Sequence, residues 1–156
     1  MEITYQRIIN VPPSYAFARA TDFRRFEAEG FGNLAPFEPR SEIRAPELGA
    51  RWRTAAEFQG RPRRFSLQLL EMTEPNHLVL GNKSEKYDVE AQMSFKPTGT
   101  NATSFHFTLN AKARSITAKL ILQTIQLARG RIVKSMQSDF ETMAKRMEAA
   151  YQAEGE

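Results

Sequence analysis

Residues able to do acid–base, nucleophilic or metal chemistry are sparse in this chain, and their spacing points first to structure. His77 follows the turn residues Glu74, Pro75 and Asn76, and His106 falls out of phase with the apolar residues of its strand, so both are expected at the surface. No acidic residue joins either at metal-ligand spacing, and no metal site is expected. Ser14, Ser66 and Ser104 lack the context of a nucleophile elbow, and no Gly-rich phosphate loop occurs. With no cysteine there is no thiolate ligand, disulfide or cysteine nucleophile. Hydrolase and nucleotide-binding chemistry therefore has little support. The catalytic residues are unassigned and no cofactor is expected.

What the residue pattern does offer is a set of inward apolar faces with a few polar groups among them. Trp52, Phe65, Leu67, Val89, Met93, Phe105 and Phe107 fall on the apolar faces of alternating segments, with Thr54, Arg63, Tyr87 and Thr103 as polar groups on the same faces. Leu120, Gln123 and Thr124 add a contribution from a C-terminal helix. Each also has an ordinary structural role open to it: inward aromatics make a core, and a buried threonine needs only one partner. If sheet and helix enclose a space, pocket and core share these positions.

The elements that must carry these residues follow from periodicity. Apolar residues at Ile116, Leu120, Ile125, Ala128, Ile132, Met136, Phe140, Met143, Met147 and Tyr151 step at intervals averaging near the helical repeat, predicting one long helix capped by Ser115. At ~1.5 Å per residue it would reach roughly 55 Å, longer than any strand here, so it must overhang, bend or break. Gly130 is the expected place. Its first half, with Leu120, Ile121, Leu122, Ile125 and Leu127 on several faces, predicts contact beyond the sheet, with the Phe31–Phe37 loop or a second subunit.

Upstream, Ile3, Tyr5 and, after a slip, Ile8 and Val11 predict a first strand ended by Pro12 and Pro13. Two short helices are predicted next, the second capped by Asp22 and stopped at Gly30. Phe31 to Gly49 is broken by prolines and glycines, with a weak strand around Phe37–Ile43. From Arg51 the period is two: a hairpin turning at Gln59-Gly60, a short strand over Leu78–Leu80, and two longer strands carrying Tyr87 to Phe95 and Thr103 to Ala111. This predicts an antiparallel meander.

The chain's 156 residues, 41% apolar, fit one domain spanning 1–156. No stretch is a membrane span or signal peptide, which makes the cytoplasm the expected compartment. Lys and Arg outnumber Asp and Glu 22 to 18. That modest excess leaves room for weak contact with anionic surfaces, and no nucleic-acid motif accompanies it.

The order strand, two short helices, antiparallel strands and long C-terminal helix is that of the α+β helix-grip fold, with about six or seven strands curved around the helix. VPPSYAFARATDFRRFEA resembles the opening of the START/Bet v 1-like (SRPBCC) superfamily. GARWRTAAEFQGRPRRFSLQLLEMTEPNHLVL resembles the central strands of its polyketide cyclase/dehydrase-like branch, and LQTIQLARGRIVKSMQSDFETMAKRMEAAY its closing helix. The resemblance implies an apolar cavity between sheet and helix that takes a lipid, polyketide, quinone or similar molecule. It also implies a second reading, a cyclase or dehydratase in which Tyr87 or Arg63 polarises a carbonyl. A third is a partner-binding adaptor acting through Arg129, Arg131 and the overhanging helix, with a homodimer as one form of partnership.

Overall fold

The computed structural model describes residues 1–155. β1 (Glu2–Ile9) leads into α1 (Pro13–Ala20) and α2 (Phe23–Glu29). The strand keeps a strict two-residue alternation: Ile3 and Ile9 are buried, whereas Ile8 is 47% exposed. The expected slip at Ile8 is absent, because Tyr5 and Arg7 occupy the inward positions between the isoleucines and bond to the C-terminal helix. Pro13 opens α1, where a missing N–H costs nothing. The Asp22 carboxylate accepts the Arg25 N–H at the start of α2. Gly30, at φ 75°, ends α2, and a Cβ there would run into the Leu34 carbonyl.

The following loop forms only the two-residue β2 (Glu38–Pro39), not a strand to Ile43. Its prolines remove ladder donors, and Ile43 is exposed. Phe37 is nevertheless buried, and its N–H bonds the Phe26 carbonyl.

The meander follows as β3 (Arg51–Phe58), β4 (Arg61–Thr73), β5 (His77–Lys83), β6 (Tyr87–Pro97) and β7 (Thr103–Ala113). Gln59 and Gly60 both take positive φ, 54° and 74°, as a tight two-residue hairpin requires. The seven strands are ordered β1-β7-β6-β5-β4-β3-β2, all pairs antiparallel. A bulge between Leu69 and Glu71 shifts the register of β4 against β5, a device that bends a strand.

The C-terminal helix is two helices, α3 (Ile116–Leu127) and α4 (Arg129–Glu154). Ser115 caps α3 by accepting the Ala118 N–H at 3.1 Å. The break falls at Ala128, φ −97° and ψ 12°, two residues before the expected Gly130. Gly130 lies in the first turn of α4, and a Cβ there would meet no atom within 4 Å, so neither a kink nor close packing is its role. The break lets the helical run change direction: α3 packs against β7 and α4, while α4 crosses β1 and meets α1. A curved antiparallel sheet gripping this helical arm, with two short helices after the first strand, is the helix-grip fold.

The core lies at one end of the grip. Phe140 of α4 sits among Tyr5, Phe31, Phe105 and Phe107, with ring centroids 5.3, 5.5, 5.4 and 4.7 Å away. Phe105 continues into Phe95 at 5.3 Å, and Phe95 into Phe17 of α1 at 5.5 Å. A second group joins α2 to β3 by stacking Phe23 on Trp52 at 5.2 Å.

Candidate functional site: an open trough on the concave face

Because Phe105 and Phe107 meet α4, the register assigns every inward position of the sheet. Met93 pairs with Phe107, Ala91 with Leu109, Val89 with Ala111 and Tyr87 with Ala113. Leu80 pairs with Ala91 and Asn82 with Val89, while Leu69 pairs with Leu80. Leu67 lies opposite Trp52, Phe65 opposite Thr54 and Arg63 opposite Ala56. These residues share the concave face, since side chains alternate along a strand and directly paired residues point the same way.

Burial along this face is graded. Toward α1, α2 and the C-terminal half of α4, the residues Trp52, Leu69, Leu78, Phe95, Thr103 and Phe105 are fully buried. Toward the opposite end Phe65, Leu67, Leu80, Asn82, Tyr87, Val89, Ala91 and Leu109 are only half-buried and Arg63 is exposed, while Thr54 opposite Phe65 and Ala111 opposite Val89 stay buried. Leu67, Leu80, Ala91, Met93 and Leu109 pack on the margin of the core together with Met136 of α4. The concave surface is thus a solid core at one end and a half-covered, mainly apolar stretch, the trough, at the other.

The expected contact residues divide accordingly. Phe65, Leu67, Tyr87, Val89 and Met93 lie along the trough. Trp52, Thr54, Thr103, Phe105 and Phe107 are buried, and their polar atoms are occupied. Thr54 Oγ1 donates to the Ala35 carbonyl and Thr103 Oγ1 to the Val11 carbonyl, both at 2.7 Å. Leu120, Gln123 and Thr124 are exposed on α3, and Thr124 Oγ1 donates back to the Leu120 carbonyl at 3.2 Å. The expected set omits Leu80, Asn82, Ala91, Leu109 and Met136. A strand predicted only over Leu78–Leu80 stops short of Asn82, which β5 carries into the trough beside Val89.

Of the two histidines, His106 is half-buried on the convex face, its Nε2 3.1 Å from Ser104 Oγ. His77 is the first residue of β5 rather than part of the turn, with Nε2 3.3 Å from Glu71 Oε2.

Two charged networks hold the trough's frame. Glu27 accepts the Trp52 indole N–H at 2.9 Å and pairs with Arg24 at 3.0 Å and Arg44 at 2.9 Å. Burial alone would raise the Glu27 carboxyl, but the indole and the two guanidinium groups outweigh it and hold it below its ordinary value. On the other side, Glu141 of α4 accepts the Tyr5 hydroxyl at 2.9 Å and pairs with Arg7 at 2.9 Å, which also reaches Glu148. Burial first, and then the bond to Glu141, push the Tyr5 phenol up to about 12. The Arg7 and Tyr5 bonds hold the Glu141 carboxyl down. Neither network faces the trough.

A separate groove of about 360 Å³ lies outside the grip, between the end of α2, residues 30–32 and α4. Phe26, Phe31, Met143 and Met147 form its floor, and Arg19, Arg25, Glu29, Asp139 and Arg146 its rim. Arg25 and Glu29 already pair at 3.1 Å.

No family model and no curated protein matches this chain. Solved structures do. The protein TTHA0849 from Thermus thermophilus is 19% identical with a TM-score of 0.72, over 96% of this chain and 99% of that one. The Zhui aromatase/cyclase from a Streptomyces species is 10% identical with a TM-score of 0.67, over 94% of both chains. A norcoclaurine synthase point mutant from a Thalictrum species, in complex with a transition-state analogue, is 9% identical with a TM-score of 0.64, over 94% of this chain and 93% of that one. At these identities the likeness establishes the fold alone: this chain shares with them a curved antiparallel sheet closed by a C-terminal helical arm, the helix-grip fold. No described helix is long and apolar enough to cross a membrane.

Proposed function

We propose that the protein binds a hydrophobic small molecule in the trough, with the apolar part of the ligand against Leu67, Leu80, Ala91 and Leu109 and a polar end near Asn82 and Tyr87. The observation that carries this reading is the gradient of burial along the concave face. A sheet that packs rings tightly around Phe140 leaves a contiguous apolar surface half-covered a few residues further along the same strands. Covering that surface supplies binding free energy at ~25 cal/mol per Å² of apolar area removed from water, from ligand and protein alike. Asn82 and Tyr87 are the polar groups positioned to orient it. An aromatase/cyclase and a norcoclaurine synthase share the fold, and both names denote work on small organic molecules.

The test is displacement of an environment-sensitive fluorescent fatty acid from the purified protein. Saturable binding is expected, and Ala91→Trp, which fills the trough floor, is expected to abolish it while Thr142→Trp in the outer groove leaves it intact. Binding blocked by Thr142→Trp alone would move the ligand to the groove. No saturable binding to either site would remove the reading.

A further inference from the structure

The most apolar helix of the molecule turns a large part of its apolar surface to solvent. On α3, Ile116 is 80% exposed, Leu120 60% and Leu127 90%. At 100° per residue these three fall within about 40° of one another on the helix, and Ala118 and Ile125, which pack inward, lie roughly on the far side. Ile121, 47% exposed, lies to one side of the stripe. The helix has one face for the protein and a second, carrying Ile116, Leu120 and Leu127 beside Gln123, that the protein leaves uncovered.

Charge identifies that occupant. Between Glu90 and Asp139 the chain contains no Asp or Glu, while it contains seven Lys and Arg, six of them from Lys112 onward. Lys112, Arg114, Lys119, Arg129, Arg131 and Lys134 are all exposed and lie at both ends of α3 and along it. None is in an ion pair among the described residues. Arg114 and Arg129 donate only to backbone carbonyls, those of Ser84 at 3.3 Å and Glu2 at 2.8 Å. The acidic residues around the collar, Asp88 opposite Lys112, Glu2 beside Arg129 and Glu85 in the turn that Arg114 contacts, are outnumbered.

We infer that the outer face of α3 docks on the surface of an anionic lipid bilayer, with Ile116, Leu120 and Leu127 entering the interface and the basic collar contacting headgroups. An apolar helical stripe bordered by Lys and Arg with no acidic residue is the pattern of a helix that lies in the plane of a charged interface. A second copy of the chain is a poorer fit. Twofold pairing through this face would bring two acid-free basic collars together, with like charges opposed and no carboxylate on α3 to relieve them. This inference is independent of the trough and its ligand.

The experiment is flotation of the full-length protein with phosphatidylcholine vesicles, with and without phosphatidylserine. Binding is expected only to the phosphatidylserine vesicles and to weaken as salt rises. Leu120→Ser/Leu127→Ser and Lys119→Glu/Arg131→Glu should each weaken partitioning by at least about tenfold. Both pairs alter exposed positions, so melting temperatures should match the parent protein, which keeps a loss of binding distinct from unfolding. Failure of the parent protein to float with phosphatidylserine vesicles would overturn the inference, as would equal flotation by both double variants. A dimer in solution that dissociates with Leu120→Ser/Leu127→Ser would also overturn it, assigning the face to a second copy.

Discussion

Phe140→Ala tests where the stability of this fold resides. The ring sits 5% exposed on α4 and meets Tyr5, Phe31, Phe105 and Phe107, which come from β1, the loop after α2, and β7. Truncation removes the transfer free energy of a buried ring and leaves a cavity among four rigid aromatic neighbours that cannot collapse freely, a combination that costs about 3–5 kcal/mol. For a domain of this size each kcal/mol lowers the melting temperature by about 2–4 °C, so a drop of roughly 6–20 °C is expected by calorimetry or circular dichroism. Phe140→Leu refills most of the volume with apolar atoms in place of the ring and should cost less than Phe140→Ala. The comparison is the informative part. If Phe140→Ala cost less than about 1 kcal/mol, or no more than Phe140→Leu, then α4 would not be anchored through this ring and the division of the concave face into core and trough would fail.

Two further outcomes follow from the charged networks. Glu27→Ala leaves the buried Trp52 N–H without its acceptor and should cost about 1–3 kcal/mol in denaturant melts, the exposed Arg24 and Arg44 partners adding little. Because the folded Glu27 carboxyl is held below its unfolded value, its contribution is present above the ordinary carboxylate pKa and is lost as pH falls through the depressed folded value. Glu27→Gln should therefore flatten the acid limb of the stability profile. In an alkaline absorbance titration, Tyr5 should ionise near 12 rather than 10, and the stability tied to its neutral phenol should decline between those two pH values, a feature that Tyr5→Phe removes.

The strands and caps were legible because they depend on local rules. Alternation at Trp52, Thr54, Phe65 and Leu67, the carboxylate of Asp22, the hydroxyl of Ser115 and the paired positive-φ residues Gln59 and Gly60 all act within a few residues of themselves. The division of the inward face was not legible. Phe107 and Leu109 are equivalent in pattern, yet one is buried against Phe140 and the other borders the trough, a difference set by where α4 crosses the sheet. The helix break was misplaced for a related reason. Glycine was the local weak point, but the break at Ala128 separates α3, which lies against β7, from α4, which crosses β1 and reaches α1, and tertiary geometry chose that residue. Gln123 and Thr124 were expected among the inward polar groups, whereas both are exposed on α3, whose second apolar face lies outside.

The gradient of burial along the sheet has a consequence for substitution. Substitutions at Phe95, Phe105 or Phe140 disturb a ring packed on all sides and are felt as loss of folding. Substitutions at Leu80, Ala91 or Leu109 meet solvent on one side, so their cost in stability is smaller while their effect on the shape of the trough is direct. One end of the sheet therefore holds the chain together, while the other tolerates a change of side chain. Under the proposed function, substitutions at that second end would alter the shape of the trough and leave the backbone as it is.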